Sequence, residues 1–238
     1  MVENTITALE NILGYSFKNR QILFNALTHR SFFHENPGKT EDYNERLEFL
    51  GDSVLGFVIV EYLYLSDSSL TESIMAKAKS YLVKESVLSE VAASLSLGKY
   101  LRLGKGEEST GGRMKKSLLA DAMEAVFGAV YLDGGYEKAR RVILGLFQKK
   151  VDSVLISGEF HDFKTELQEK TQLLFNSIPE YRTVRQEGEE HRKLFTVDVY
   201  IEGQKLGTGF GKSKKEAETN AAQKALCQLQ TQTGKESI

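Results

Sequence analysis

Apolar residues recur with helical spacing through most of the first 150 residues. They stand three to four positions apart from Leu47 to Ile59, within a proline-free stretch that we expect to form one long helix over 44–65. Further helices are predicted over 3–13, 19–27, 71–95, 118–132 and 136–150, with Thr71 as an N-cap. Residues 98–113 are rich in glycine and charge and are predicted to form a connector. Residues 1–152 are therefore interpreted as an all-α domain.

The pattern changes after residue 152. Residues 153–161 read as a linker, and Phe163 to Phe175 is a helix candidate. Pro179 then interrupts the chain, and β-branched and aromatic residues alternate in strands predicted near 181–184, 194–201 and 204–211, with a turn at Glu202-Gly203. The helical spacing returns over 212–230. This order, α-β-β-β-α over 162–231, predicts a small α+β domain, and residues 232–238 are a short tail.

Composition narrows the class of protein. The chain has 238 residues and a net charge of −2, so bulk charge favours no particular partner. No run of about 18 apolar residues and no signal peptide are recognised, which predicts a protein without a membrane span. Cys227 is the only cysteine, and its apolar neighbours suggest a small core residue. We therefore expect a cytoplasmic location.

Three carboxylates interrupt the apolar pattern of the long helix. Glu45, Glu48 and Asp52 are three and four residues apart, so they lie on one side of the helix in successive turns. Like charges in this arrangement repel, and more strongly where apolar neighbours reduce their hydration. A helix with this pattern usually has a cation to bind.

A second apolar stretch, 118–132, carries just two charges, Asp121 and Glu124. No Lys or Arg lies between Lys116 and Lys138, and acidic side chains are rarely buried unless they are paired or bind a metal. If the two helices pack together, four carboxylates converge into an all-oxygen cluster suited to Mg²⁺ or Mn²⁺. The alternative is a helical scaffold with buried salt bridges, for which Arg46 is the cation available nearby.

Lysines crowd the start of the last predicted helix. Ser213 and Glu216 fit a capping box, yet Lys212, Lys214 and Lys215 stand at the positive end of the helix dipole. Their repulsion disappears when an anion docks there, because lysines and free backbone N–H groups then face the same phosphate. The alternative is a set of solvated surface lysines.

Two motifs carry a resemblance to a known family that covers essentially the whole chain. The ten residues from Asn44 to Ser53, Asn-Glu-Arg-Leu-Glu-Phe-Leu-Gly-Asp-Ser, resemble the signature of bacterial ribonuclease III. Leu119-Ala-Asp-Ala-Met-Glu-Ala125 is similar to the second acidic motif of that family. The segment 162–231 resembles the double-stranded-RNA-binding domain that follows there. The fold implied is an all-α endonuclease domain followed by a small α+β double-stranded-RNA-binding domain.

The resemblance implies a role for each matching residue. The metal-binding carboxylates it implies are Glu48, Asp52, Asp121 and Glu124, with Asp52 and Glu124 tied most directly to catalysis. The acidic positions implied near the site are Glu45 and Glu72. The RNA-binding positions implied are Gln168, Glu169 and Gln172 for one minor groove, His191 for the next, and Lys212, Lys214 and Lys215 for the phosphates between them.

The activity implied is hydrolysis of phosphodiester bonds in double-stranded RNA with Mg²⁺, for which Mn²⁺ substitutes. The products would carry 5′-phosphate and 3′-hydroxyl ends, and processing of rRNA and mRNA precursors is the expected task. The family is dimeric, so a homodimer with two sites is expected to cut both strands. The competing hypothesis is a double-stranded-RNA-binding regulator that does not cleave, which would leave the acids on two apolar helices unexplained.

Overall fold

A computed structural model of the chain describes residues 2–157, 163–188 and 193–233. Contacts divide the chain into two compact units, Met1–Phe160 and His161–Ile238. The first unit is helical and the second combines two helices with a three-stranded sheet, so the predicted fold class is confirmed.

Nine α-helices form the described part of the first unit. They are α1 (Val2–Leu13), α2 (Arg20–Ala26), α3 (Arg30–Glu35), α4 (Glu45–Ser66), α5 (Glu72–Leu82), α6 (Glu85–Ser94), α7 (Lys105–Ser109), α8 (Lys116–Gly134) and α9 (Tyr136–Ser157). Single 3₁₀ turns at Leu97–Tyr100 and Gly112–Met114 flank α7. The predicted cap is present, since the Thr71 hydroxyl accepts a hydrogen bond from the Ile74 N–H at 3.3 Å.

Helix α8 is the centre of the helical core. Its apolar side chains from Ala122 to Val130 are buried, and α2, α4, α6 and α9 all pack against it. A helix buried on nearly every side requires apolar residues around its whole circumference, which explains the near absence of charge in this stretch. Asp121 and Glu124 are consequently held at the border of the core.

The segment predicted as one helix over 71–95 forms two helices, so that prediction is wrong. Helix α5 ends at Leu82, and α6 begins at Glu85 after an extended Lys84. The bend lets α5 pack on α4 while α6 packs on α8. Tertiary packing overrides a sequence that has neither glycine nor proline at the break.

Two short helices form outside the predicted ones: α3 precedes the long helix, and α7 lies within the predicted connector. Glu35, at the end of α3, accepts hydrogen bonds from the N–H groups of Lys105 and Gly106 at the start of α7. The Ser31 hydroxyl accepts another from the N–H of Gly104. These bonds satisfy exposed backbone donors of the connector and fasten it to the helix that precedes α4.

The predicted linker is shorter at its beginning than expected, because α9 continues to Ser157. Val151 and Val154 are fully buried against the helical core, and their burial extends the helix past residue 152. The following residues 158–162 lie outside the described parts.

The second unit contains α10 (Phe163–Phe175), β1 (Glu180–Glu187), β2 (Leu194–Ile201), β3 (Gln204–Gly211) and α11 (Lys214–Thr233). The sheet is antiparallel in the order β1-β2-β3. The predicted β2–β3 turn is present, with φ of 49° at Glu202 and 78° at Gly203, as a two-residue type I′ hairpin loop requires. Gly209 faces α11, where a Cβ atom would overlap backbone of Ala217 and Ala221, so the helix lies close on the sheet.

Cys227 is exposed, so its predicted burial is wrong. The inward face of α11 is formed by Ala221, Ala222, Ala225, Leu226 and Leu229. Position 227 follows an inward residue but points away from that face, because successive helical residues are about 100° apart.

One face of α4 remains apolar and exposed. The side chains of Phe57, Val60, Tyr64 and Leu65 are more than two-fifths exposed. Of the most apolar 18-residue segment of this helix, 39% is buried. By length and composition alone, α4 would suffice to cross a membrane. It nevertheless carries Glu45, Glu48 and Asp52, and its other face packs on α8 within the core.

Candidate active site

The two acidic helices cross with their backbones in contact. Gly51 of α4 faces the backbone of Glu124 in α8, and a Cβ atom at position 51 would overlap the Glu124 carbonyl group. Asp52 follows Gly51 directly, and Glu48 lies one turn before it. The crossing therefore brings carboxylates from two distant stretches of sequence to one region.

Burial and neighbouring charges raise the pKa values of two of the carboxylates. Glu124 is half-buried, and burial together with the charges of Asp52, Glu48 and Asp121 raises its pKa to about 8. Burial also raises the pKa of Glu48, with added repulsion from Asp121, Glu45 and Asp52. The charges of Asp52 and Glu48 on α4 therefore act on Glu124 of α8, and the charge of Asp121 on α8 acts on Glu48.

Glu85 is an acidic neighbour that the sequence did not reveal. Burial raises the pKa of Asp121, and the next cause is the charge of Glu85, followed by a smaller contribution from Glu45. Glu85 is the first residue of α6, the helix that packs beside α8. No spacing in the sequence relates positions 85 and 121, so this electrostatic effect depends on tertiary structure alone.

No cation neutralises this cluster within the described parts of the chain. None of the four carboxylates forms an ion pair there, and Arg46 pairs instead with Asp42 at 3.5 Å. A scaffold held by buried salt bridges requires a paired Lys or Arg, so the cluster does not fit that interpretation.

The side chains do not converge on one point. Among the described residues, no three acidic, histidine or cysteine side chains are placed to hold one metal ion. Repulsion between carboxylates acts over several ångströms, whereas Mg²⁺ needs oxygens about 2.0–2.1 Å away. Carboxylates can therefore repel one another without being close enough to share a metal ion. Hard oxygen donors with uncompensated charge fit a divalent ion in chemistry, and ligation requires these side chains to rotate toward a common point.

The two further acids predicted near the site lie in different places. Glu45 begins α4 beside the cluster, and Arg30 approaches it with Nη1 3.5 Å from Oε1. Glu72 begins α5 and lines a groove of about 630 Å³ between α4 and α5, with Phe57, Val60 and Tyr64 among the other walls. Glu72 is not among the charges that perturb the pKa of Glu48, Asp121 or Glu124.

In the second unit, the predicted helix residues share an exposed surface. Gln168 and Gln172 are one turn apart on α10, with Glu169 beside them, and all three are exposed. The buried residues Leu167 and Thr171 anchor the opposite side of this helix. His191, predicted for the loop between β1 and β2, lies outside the described residues.

The lysine cluster stands at the beginning of α11. The Ser213 hydroxyl accepts a hydrogen bond from the Glu216 N–H at 3.1 Å, and Glu216 accepts one from the Lys212 N–H at 2.7 Å. Lys214 and Lys215 are the first two residues of the helix. All three lysines are exposed, and none forms an ion pair with a residue that the structure describes. The helix start therefore combines a capping interaction with an uncompensated positive charge.

Two protein families match the chain. Residues 19–151 match the family described as Ribonuclease-III-like, and residues 163–229 match the double-stranded RNA binding motif. The helical unit with its acidic crossing and the α-β-β-β-α unit together define an endoribonuclease that binds double-stranded RNA.

Close relatives agree with this class. Proteins named Ribonuclease 3 from Caldanaerobacter subterraneus subsp. tengcongensis and Syntrophobacter fumaroxidans are 49% and 46% identical to this chain. The matches cover 94% of this chain and 98% of the first relative, and 93% of this chain and of the second relative. The chain belongs to the ribonuclease III family, which confirms the resemblance seen in the two acidic motifs.

A solved structure matches the first unit. The nuclease domain of ribonuclease III from Campylobacter jejuni aligns with a TM-score of 0.56 at 42% identity. The alignment covers 60% of this chain and 96% of that domain. That structure is described as showing flexibility in a region involved in dimer formation.

We predict that Glu124→Gln stabilises the metal-free protein, and more so at high pH. The folded state holds the Glu124 proton up to about pH 8, against a usual pKa of 4.5, so charging this carboxylate destabilises the fold as pH rises through that interval. Because the group is partly hydrated, the gain at pH 9 should exceed the gain at pH 5.5 by only about 1–2 kcal/mol. Urea unfolding in the presence of a chelator measures both values.

Glu41→Gln is the matched control for this measurement, because Glu41 is exposed and forms no hydrogen bond or ion pair with the described residues. Its effect should be the same at both pH values. An equal gain at pH 5.5 and pH 9 for Glu124→Gln would contradict the raised pKa.

Proposed function

We propose that this ribonuclease hydrolyses phosphodiester bonds of double-stranded RNA with divalent metal ions bound by Glu48, Asp52, Asp121 and Glu124. The observation that supports this most directly is the backbone contact of α4 with α8, which brings these carboxylates to one region where no cation of the described chain pairs with them. We expect Mg²⁺ as the natural ion, with Mn²⁺ as a substitute, because both prefer oxygen donors. The products would carry 5′-phosphate and 3′-hydroxyl ends.

We assign each carboxylate a role from its position at the helix crossing. When bound, the ions supply stabilisation of negative charge on the phosphate and a water of lowered pKa. Asp52 and Glu124 flank the helix crossing and would hold these ions next to the scissile phosphate. Glu48 and Asp121 would complete the coordination or orient it, and Glu45 adds negative charge at the edge. The raised pKa of Glu124 means that metal competes with a proton for this carboxylate near neutral pH.

The second unit would hold the RNA. The exposed side of α10 with Gln168, Glu169 and Gln172 suits a shallow minor groove lined by 2′-hydroxyls. Lys212, Lys214 and Lys215 would meet backbone phosphates across the intervening major groove, and His191 would enter the next minor groove. Recognition of this kind reads the shape of A-form RNA and its phosphates, so it binds many sequences.

The enzyme would act as a homodimer. The exposed apolar face of α4 and the groove beside it form one contiguous surface, which a second copy could cover. Dimer formation in the nuclease domain of the Campylobacter jejuni relative supports this choice of partner. Two symmetric sites would allow both strands of a duplex to be cut in one encounter.

Precursors of rRNA and mRNA in the cytoplasm are the substrates we propose. Such transcripts contain long base-paired stems, which present the A-form shape without a required sequence. The composition is in keeping with this setting, since a single cysteine leaves the fold independent of intrachain disulfides.

We predict that Glu124→Gln abolishes cleavage but retains RNA binding. The substitution removes a charged ligand from the site and leaves the second unit unchanged, so the cleavage rate should fall by at least roughly a hundredfold. The test incubates a long RNA duplex with each protein, with and without Mg²⁺, and analyses the RNA ends. Full cleavage by the variant would reject the site, and binding without any cleavage by the unmodified protein would favour a non-cutting regulator.

A second prediction concerns the lysines. Lys214→Ala combined with Lys215→Ala should weaken duplex binding for all sequences and lower the salt dependence of the affinity by about two phosphate contacts. Titrations of labelled duplex at several salt concentrations measure this slope. Lys138→Ala combined with Lys149→Ala removes the same charge from exposed positions of α9 and is the control. Equal effects of the two double variants would mean that net charge, not this helix start, binds the RNA.

A third prediction concerns assembly. Val60→Glu combined with Tyr64→Glu places charges on the exposed apolar face of α4, so the protein should sediment as a monomer. Leu132→Glu is the control, because Leu132 is similarly exposed but lies near the end of α8. It should leave the dimer intact. A dimer that persists in the double variant, or dissociates equally in the control, would place the interface elsewhere.

A further inference from the structure

The crossing of α4 and α8 depends on two reciprocal glycines. A Cβ atom on Gly51 would overlap the Glu124 carbonyl and lie 3.0 Å from the Gly128 nitrogen. A Cβ atom on Gly128 would overlap the Leu47 carbonyl and lie 3.2 Å from the Gly51 nitrogen. Each glycine therefore faces the other helix's backbone, not its flexible side chains. A backbone contact cannot yield to an added methyl group without moving one helix relative to the other.

The four carboxylates are attached within two turns of this contact. Glu48 and Asp52 flank Gly51 in α4, while Glu124 and Asp121 precede Gly128 by about one and two turns. The distance between the two backbones at the crossing consequently sets the distance between the two pairs of oxygen donors. Mg²⁺ demands nearly ideal octahedral geometry with short metal–oxygen distances, so a displacement of about 1 Å between the pairs matters.

Repulsion between the carboxylates acts in the opposite direction. Without a metal, like charges carried by α4 and α8 repel each other, and this repulsion favours separation of the two helices. A glycine in a helix interior disfavours the helix, yet both helices carry one at the same contact. Gly145 in α9 differs, because a Cβ atom there would meet nothing within 4 Å.

We infer that Gly128 is a positioning residue whose close contact with α4 sets the affinity of the carboxylate site for divalent metal. The inference rests on the proposed function, since it concerns the same four carboxylates. Metal binding and helix spacing are thermodynamically linked. If a short spacing between α4 and α8 raises the affinity for metal, bound metal stabilises that short spacing to the same extent. Gly51 takes part in the same contact from the other helix.

The test compares Gly128→Ala with Gly145→Ala. The concentration of Mn²⁺ or Mg²⁺ that produces half of the rise in unfolding temperature is measured without RNA. It should increase roughly tenfold or more for Gly128→Ala, and it should be unchanged for Gly145→Ala. In cleavage assays at fixed Mg²⁺, kcat should fall for Gly128→Ala while KM for the duplex stays within about twofold, because the second unit is untouched.

Each result has a defined meaning. A folded Gly128→Ala protein with the unmodified protein's metal midpoint would overturn the inference while leaving the proposed function intact. An unmodified protein with neither a metal-dependent rise in unfolding temperature nor cleavage would overturn the proposed function as well.

If the Gly128→Ala protein does not fold, amide hydrogen exchange of the unmodified protein tests the inference instead. Mn²⁺ should slow exchange over 47–52 and 124–128 by severalfold more than around Gly145. Equal protection in the two places would overturn the inference.

Discussion

The structure depends on one constraint, which is that four carboxylates must be held together against their own repulsion. The contact between Gly51 and the Glu124 backbone achieves this by placing two helices in direct backbone contact. The apolar surroundings of α8 then raise the energetic cost of charge, as the pKa of about 8 for Glu124 shows. Burial of α8 by α2, α4, α6 and α9 supplies the rigidity that a repulsive cluster cannot supply for itself.

Much of this arrangement could be predicted because it is encoded locally. Apolar spacing located the principal helices, and the caps at Thr71 and Ser213 followed from residue type. Packing of the two acidic helices could be anticipated because both carry carboxylates in an apolar stretch, and the second has no local Lys or Arg partner. The break at Val83–Lys84, the exposure of Cys227 and the approach of Glu85 to Asp121 were not predictable, because each depends on which faces meet in three dimensions.

The exposed face of α4 connects the site with assembly. The helix uses one face to pack on α8, and its continuation presents Phe57, Val60 and Tyr64 to solvent. A helix that is apolar on two faces within one chain needs a second surface to cover it, which favours another copy over solvent. Covering that face would also restrain α4, the helix that carries Glu45, Glu48 and Asp52. In the proposed dimer, assembly and chemistry would therefore be coupled through a single helix.

The carboxylates of the candidate site repel the negatively charged RNA substrate. A chain with a net charge of −2 and a cluster of uncompensated carboxylates repels a phosphate backbone, so affinity for RNA must come from elsewhere. The lysines at the start of α11 have the complementary arrangement, positive charge where the helix dipole disfavours it. Both clusters concentrate like charge, and under the proposed function metal ions would relieve the repulsion among the acids and phosphates the repulsion among the lysines. Because the two clusters lie in separate units, the proposed function would let the second unit bind the duplex while metal ions lower the repulsion in the first.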